Sequence, residues 1–99
     1  MARLLDQTEI AEQLTNLGGW QLRESTLVRD YEFPDFPTAI KAVDAIAVDA
    51  EAMAHHPDID ILWRRLHIEL TTHDAGGITQ LDIELAHQIK QIADELAAI

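Results

Sequence analysis

The hydrophobic pattern of this chain changes its period at Pro57, and no other feature of the sequence limits the fold as strongly. From Phe36 to Ala54 the apolar residues recur at helical spacing, which predicts one long, core-facing helix. A residue that precedes proline is pushed out of the α region, so this helix should end within residues 54–56. Beyond the proline, apolar residues alternate over 59–70, which predicts a hairpin with Arg64-Arg65 as its turn.

The remaining segments extend this alternation of helical and strand patterns. Helical spacing over residues 6–17 predicts a first helix, and the segments WQLRES and TLVRDYEF predict a hairpin around Glu24-Ser25. Thr79, with Asp82 three residues later, is close to a capping box that opens a last helix. The resulting order, α-β-β-α-β-β-α, predicts a single α+β domain over residues 1–99, in which three helices pack on one face of a four-stranded antiparallel sheet.

Composition and charge restrict the class of partner. Seven Lys and Arg against eighteen Asp and Glu give a net charge of -11, which would repel a phosphate backbone, so direct nucleic-acid binding is not expected. The chain has no cysteine, no apolar run as long as a membrane span and no signal-peptide pattern, so we expect a cytoplasmic protein without a membrane partner. Exposed sheet edges and an alanine-rich helix predict a homodimer, or a homotetramer formed by helix packing.

Four of the five histidines lie between Glu51 and Asp82, which makes this stretch the first place to look for a site. His55 and His56 follow the long helix, and the proline after them allows the backbone to turn between them. His73 comes from the end of the second hairpin's return strand, which runs back toward the helix exit. Three imidazoles that converge would allow proton transfer in both directions near neutral pH, which suits the elimination or addition of water.

Other interpretations of these residues stay open at this point. Three histidines with a nearby carboxylate would suit zinc or iron, although adjacent histidines rarely chelate one ion and the helical i, i+4 pair is absent. Trp63 is more often a core residue than a ligand platform, Asp82 is more often a helix-start carboxylate than a catalyst, and Glu51 is ordinarily a solvated helix carboxylate. His67 and His87 receive no role from the pattern.

The stretch resembles the signature of the pterin-4a-carbinolamine dehydratases, a family also known as dimerisation cofactors of a homeodomain transcription factor. That signature contains an acidic or polar residue, three spacers, His-His-Pro, an aromatic residue, a further histidine and a distant Asp. The matching positions are Glu51, His55, His56, Pro57, Trp63, His73 and Asp82. The runs GGW, FPDF and LHIELTTHDAGGIT resemble the family as well, whereas Arg64-Arg65 stands where members commonly have Asn and a basic residue, and Trp63 replaces a frequent Tyr.

The resemblance implies an enzyme that dehydrates a 4a-hydroxytetrahydropterin, such as 4a-hydroxytetrahydrobiopterin, to the quinonoid dihydropterin. This reaction recycles the tetrahydropterin after aromatic amino-acid hydroxylation, and it implies a small-molecule pterin substrate with no metal and no organic cofactor. A role in molybdopterin metabolism remains open. A second function of a different class is a non-catalytic module of the same fold, which binds a pterin or serves as a partner's dimerisation element.

The resemblance also implies a role for each matching residue. His55 and His73 would exchange protons with the 4a-hydroxyl leaving group and with the N5 proton, and which of them acts as the acid stays open. His56, also placed in the catalytic set, would hold the pterin ring with Glu51 as its hydrogen-bonding support. The implied substrate-binding residues are Glu51, His56, Pro57 and Trp63, and Asp82 is the implied supporting residue.

Overall fold

The structure, a computed structural model, describes residues 2–99, so the first residue of the predicted 1–99 domain lies outside it. The first helix, α1, spans Gln7–Leu14 and begins at a capping box. Asp6 accepts the Glu9 N–H at 2.8 Å, and Glu9 accepts the Asp6 N–H at 3.0 Å. A bidentate contact from Arg3 lowers the pKa of Glu9 to about 2. Because Thr15 to Leu17 form turns, α1 is shorter than the predicted helix.

The four predicted strands form one antiparallel sheet, as the sequence predicts. They are β1 (Gln21–Arg23), β2 (Thr26–Glu32), β3 (Asp58–Leu62) and β4 (Arg65–Leu70). Their order across the sheet is β1-β2-β4-β3, so the two hairpins join through the pairing of β2 with β4, and β1 and β3 form the edges. The helices cover one face of this sheet, and the predicted α+β class and element order are confirmed.

The turn of the second hairpin differs from the prediction by one residue. Leu62 pairs with Arg65, so the turn consists of Trp63 and Arg64 rather than Arg64-Arg65. The register is set by β4, whose apolar row must face the core, and a two-residue connection then places Trp63 in the turn with φ +59°. The core interpretation of Trp63 is therefore wrong, because its side chain is 70% exposed.

The core lies between the sheet and two long helices, α2 (Phe36–Met53) and α3 (Gln80–Glu95). The inward row of β4 ends at Leu70, and all its apolar members are buried. The buried face of α2 is mostly alanine, which lets the helix approach its neighbours closely. Trp20 Nε1 donates to Tyr31 Oη at 3.0 Å inside this core, and burial raises the pKa of Tyr31.

The end of α2 directs the chain toward the site. Ala54 adopts a left-handed conformation, with φ +51° and ψ +40°, and its N–H donates to Glu51 O at 3.1 Å. The His55 N–H donates to Ala50 O at 3.0 Å, which completes the paired bonds of a Schellman ending. The predicted helix end is confirmed. The left-handed turn at Ala54 also lets the next two side chains, His55 and His56, point in different directions. Over residues 2–99, no helix combines the length and the apolar character needed to cross a bilayer.

Candidate active site

A cleft of about 250 Å³ lies where the exit of α2, the end of β4 and the start of α3 meet. The helix exit contributes residues 54–56, the segment after β4 contributes residues 71–74, and α3 contributes Leu81. The structure thus brings His55, His56 and His73 to one cleft from two distant parts of the sequence. The pairing of β3 with β4 causes this convergence, because the hairpin returns the chain to the helix exit.

His55 is the buried histidine of the cleft, with 8% of its surface exposed. Its Nε2 atom lies 2.6 Å from Oδ1 of Asp82, across 27 residues of sequence. The left-handed residue before it, Ala54, turns the ring from the end of α2 toward the start of α3. A short contact of this kind with a carboxylate fixes both the orientation of the ring and the nitrogen that carries the proton.

Asp82 is fully buried, with 0% exposure, and its carboxylate has three protein partners. Besides His55, it accepts from Thr72 Oγ1 at 2.8 Å and from the Thr79 N–H at 2.9 Å. The last of these bonds belongs to the capping box that opens α3, so the predicted helix-start role of Asp82 is confirmed. The same carboxylate also anchors His55, which the sequence did not indicate. Buried carboxylates need such donors, because burial without them disfavours the charge strongly.

The other two histidines lie at the solvent edge of the cleft. His56 Nε2 contacts Glu51 Oε2 at 2.9 Å, and both side chains are mostly exposed. Glu51 lies in the last turn of α2, so it is close enough to act as the hydrogen-bonding support of His56 that the resemblance implies. His73 opens a short 3₁₀ helix, His73–Ala75, which Gly76 ends with φ +80°. His73 is exposed, so its ring is free to meet a ligand that enters the cleft.

Three of the four implied substrate-binding residues lie outside the cleft lining, and of these Glu51 contacts a lining residue, His56. Pro57 follows His56 directly and leads into β3, so it shapes the exit of the helix. Trp63 lies at the other end of β3, beside Glu32 and Arg64 in a different depression. Five residues of strand separate it from the cleft, which is about 16 Å at roughly 3.3 Å per residue. A substrate contact by Trp63 stays a prediction.

Thr72 is the residue of this site that the sequence interpretation missed. It is buried, and it lines the cleft between the exposed His73 and the end of β4. A signal was present in the pattern, because Thr72 continues the inward row of Leu66, Ile68 and Leu70. A hydroxyl on a buried row needs a partner. Asp82 carried a similar signal, since it lies one turn before Leu85 on the buried stripe of α3.

Within residues 2–99, no group of three or more His, Cys, Asp or Glu side chains is arranged to hold a metal ion. Two of the three cleft histidines contact one carboxylate each: His55 contacts Asp82, and His56 contacts Glu51. Such pairs fix ring orientation and proton position, which is what acid/base chemistry requires.

The fold and this cleft define a class of small α+β protein in which three histidines line one cleft. The comparisons with known proteins identify that class further. The family described as Pterin 4 alpha carbinolamine dehydratase matches residues 3–92, and the chain therefore belongs to the pterin-4a-carbinolamine dehydratase family. The resemblance stated from the sequence is confirmed.

Relatives and a solved structure agree with this assignment. A protein from Roseiflexus sp. (strain RS-1), named for the same dehydratase, is 49% identical and covers 93% of this chain and 99% of its own length. An Aquifex aeolicus protein with the same name is 38% identical over 97% of each chain. The crystal structure of a transcriptional coactivator/pterin dehydratase from Brucella melitensis has a TM-score of 0.87 and 35% identity, and the match covers 90% of this chain and 97% of that one.

Proposed function

We propose that this protein dehydrates a 4a-hydroxytetrahydropterin to the quinonoid dihydropterin by histidine acid/base catalysis. Family membership supports a pterin dehydratase at the level of the class. The observation that carries the specific proposal is the buried contact of 2.6 Å between His55 and Asp82, in a cleft that His56 and His73 also line. The cleft thus combines His55, whose ring is held in a fixed orientation, with His73, whose exposed ring is free to move.

The reaction needs one proton delivered and one removed. The C4a–O bond breaks as the hydroxyl takes up a proton and leaves as water, and the electrons of the N5–H bond form the new double bond between C4a and N5. The released N5 proton goes to a base, so the exchange leaves the protein's proton count unchanged. Two imidazoles suit this exchange because one can be protonated while the other is neutral near pH 7. No metal or organic cofactor enters these steps.

Asp82 determines which nitrogen of His55 faces the substrate. An ionised carboxylate only accepts hydrogen bonds, so Nε2 of His55 is the donor in their contact. The Nδ1 atom then remains for the cleft, as a base in the neutral ring or as an acid in the protonated ring. His73, which lines the same cleft, exchanges the other proton. The contact of Glu51 with His56 orients the second ring, which supports the role of His56 in holding the flat pterin.

We further propose that the chain works as a homodimer or homotetramer. The edge strand β3 exposes Ile61 and Leu62 at 44% and 49%, and α2 exposes Val48 at 70%, so both surfaces have apolar area left to bury. Recycling of the tetrahydropterin beside an aromatic amino-acid hydroxylase in the cytoplasm is the setting we propose for this activity.

A second candidate function is a non-catalytic module of the same fold. The Brucella melitensis protein is titled both as a transcriptional coactivator and as a pterin dehydratase, so one fold is associated with both descriptions there. Such a module would bind a dihydropterin or a partner protein without accelerating dehydration. The buried contact between His55 and Asp82 favours the enzyme, because simple binding does not require a histidine of fixed proton position.

Stopped-flow dehydration of a synthetic carbinolamine tests the proposal. The purified protein should exceed the spontaneous rate, and His73→Ala should keep its fold yet lose about 10²–10⁴-fold in rate, the usual contribution of one positioned acid or base. His87→Ala, an exposed histidine of α3 outside the cleft, serves as the matched control and should retain full rate. A protein that binds dihydropterin but never exceeds the spontaneous rate would establish the second candidate instead.

A further inference from the structure

Thr72 connects the start of α3 to the buried carboxylate of the cleft. Its side chain has a single hydroxyl, and the residue is only 7% exposed. Oγ1 of Thr72 lies 2.8 Å from Asp82 Oδ2 and 2.8 Å from Thr79 Oγ1. Thr79 Oγ1 in turn accepts the Leu81 N–H at 3.2 Å. These bonds form a continuous chain from the backbone of α3 to Asp82.

The direction of every bond in this chain follows from the chemistry of the groups. Asp82 can only accept when it is ionised, so Thr72 must donate its one proton to it. Thr72 therefore accepts from Thr79, which donates its own proton while accepting from the backbone. All hydroxyl protons then point the same way, toward the carboxylate. Together with the Thr79 N–H at 2.9 Å, two donors hold Oδ2 and leave Oδ1 to His55.

This arrangement has a consequence for the ring of His55. Hydrogen bonds to the charged form of a carboxylate favour that form. While Asp82 stays charged, the shared proton remains on Nε2 of His55, and Nδ1 keeps its lone pair. Among residues 2–99, Arg29 Nε is the one fully buried side-chain nitrogen or oxygen without a hydrogen-bond partner. Nδ1 of His55 also has no hydrogen-bond partner within this range, so it is not fully buried. Because His55 lines the cleft, Nδ1 is accessible from there.

We propose that Thr72 is a positioning residue for the dehydration: its hydroxyl, acting through Asp82, keeps the proton of His55 on Nε2 so that Nδ1 faces the pterin. Valine has the shape of threonine but no hydroxyl, so Thr72→Val removes one of the two donors to Oδ2. The pair can then take up one proton from solvent at Nδ1 while the Nε2 proton moves to Asp82, which leaves a neutral His55 protonated on Nδ1 beside a neutral Asp82. The proposal rests on the proposed function only for the identity of the reaction.

Two measurements on the full-length protein test this inference. Nitrogen-15 NMR of the histidine rings should show the Nε2–H form of His55 in the unaltered protein and in Thr72→Ser, which retains the hydroxyl. Thr72→Val should show a substantial Nδ1–H population. In stopped-flow dehydration, Thr72→Val should lower kcat by about 10–100-fold at unchanged KM, by analogy with the loss when an outer-shell partner of a metal-ligating histidine is removed. Thr72→Ser should restore most of the rate.

The controls separate positioning from stability and from the proposed function. Thr38→Val makes the same chemical change in the first turn of α2, at the opposite end of that helix from the cleft, and should change neither readout. Thr72→Ala replaces the valine variant if that variant does not fold. The NMR measurement needs no turnover, so an inactive protein with the expected proton position would refute the proposed function and support the positioning. An unchanged His55 proton position in Thr72→Val, or a loss of kcat that Thr72→Ser does not restore, overturns the inference.

Discussion

Substitution of the buried Asp82 should cause large changes in the free energy of unfolding and in kcat. Asp82→Ala removes the acceptor of three groups at once, namely His55 Nε2, the Thr72 hydroxyl and the Thr79 N–H. Asp82→Asn retains an oxygen for the two donors at Oδ2 and turns an amide toward His55. The first change therefore removes the network, whereas the second keeps the helix cap and alters only the contact with the histidine.

The magnitude follows from the number of donors left without a partner. Each unsatisfied buried donor costs about 1–3 kcal/mol, and water that enters the vacated space offsets part of the sum. We expect Asp82→Ala to lose about 3–5 kcal/mol of unfolding free energy, which lowers Tm by roughly 15–30 °C in a domain of this size. Asp82→Asn should lose about 1–2 kcal/mol, because its bonds are retained but are no longer charge-assisted.

In Asp82→Asn, activity should be lost although most of the stability is kept. In Asp82→Asn, the amide donates toward Nε2 of His55, so the ring must carry its proton on Nδ1 and the cleft loses its lone pair. We expect the folded Asn variant to lose about 10²–10⁴-fold in kcat, the contribution of one acid or base group.

Urea and thermal unfolding measured by circular dichroism check the stability values, with Glu84→Ala as the control. Glu84 is an exposed carboxylate on the same helix, and its removal should stay within about 0.5 kcal/mol. If Asp82→Ala proves as stable as Asp82→Asn, the three-donor network does not stabilise the fold, and the reasoning fails.

Three further predictions concern other parts of the molecule. Ala54→Gly should raise the urea midpoint by the equivalent of about 0.5–1 kcal/mol, because a non-glycine residue in the left-handed conformation of this helix ending is strained; a lower midpoint would contradict this. His67 lies between Glu69 and Asp30, which raise its pKa. The stabilisation that protonated His67 gives the folded state is therefore fully present below about pH 6.5 and is lost as the pH rises through the raised pKa. His67→Gln should flatten the dependence of Tm on pH between about 6 and 9. If Tm depends equally on pH in the variant and in the unaltered protein, the contacts of His67 do not stabilise the fold. Ile61→Lys on edge strand β3 should shift light scattering toward monomer if edge pairing forms the dimer, and an unchanged mass would exclude that surface.

The fold followed from the sequence because its determinants are local. The helix ending before Pro57 and the capping box at Thr79 each depend on residues close together in the chain, and the structure contains both. The turn at Trp63 was predicted wrongly because the sequence offered only local evidence there. Alternation alone could not show where a strand stops, and the pairing of Leu62 with Arg65 decided the turn.

The sequence by itself determined the order of elements, the family signature and the histidines that carry the proposed chemistry. Only the tertiary structure decided which of those histidines is buried and what holds it. His55 and Asp82 are separated by 27 residues, and their contact depends on the left-handed turn at Ala54, the sheet register and the packing of α3. Thr72 enters the site for the same reason. Contacts of this kind depend on how separate elements meet, which the spacing of residues along one chain does not encode.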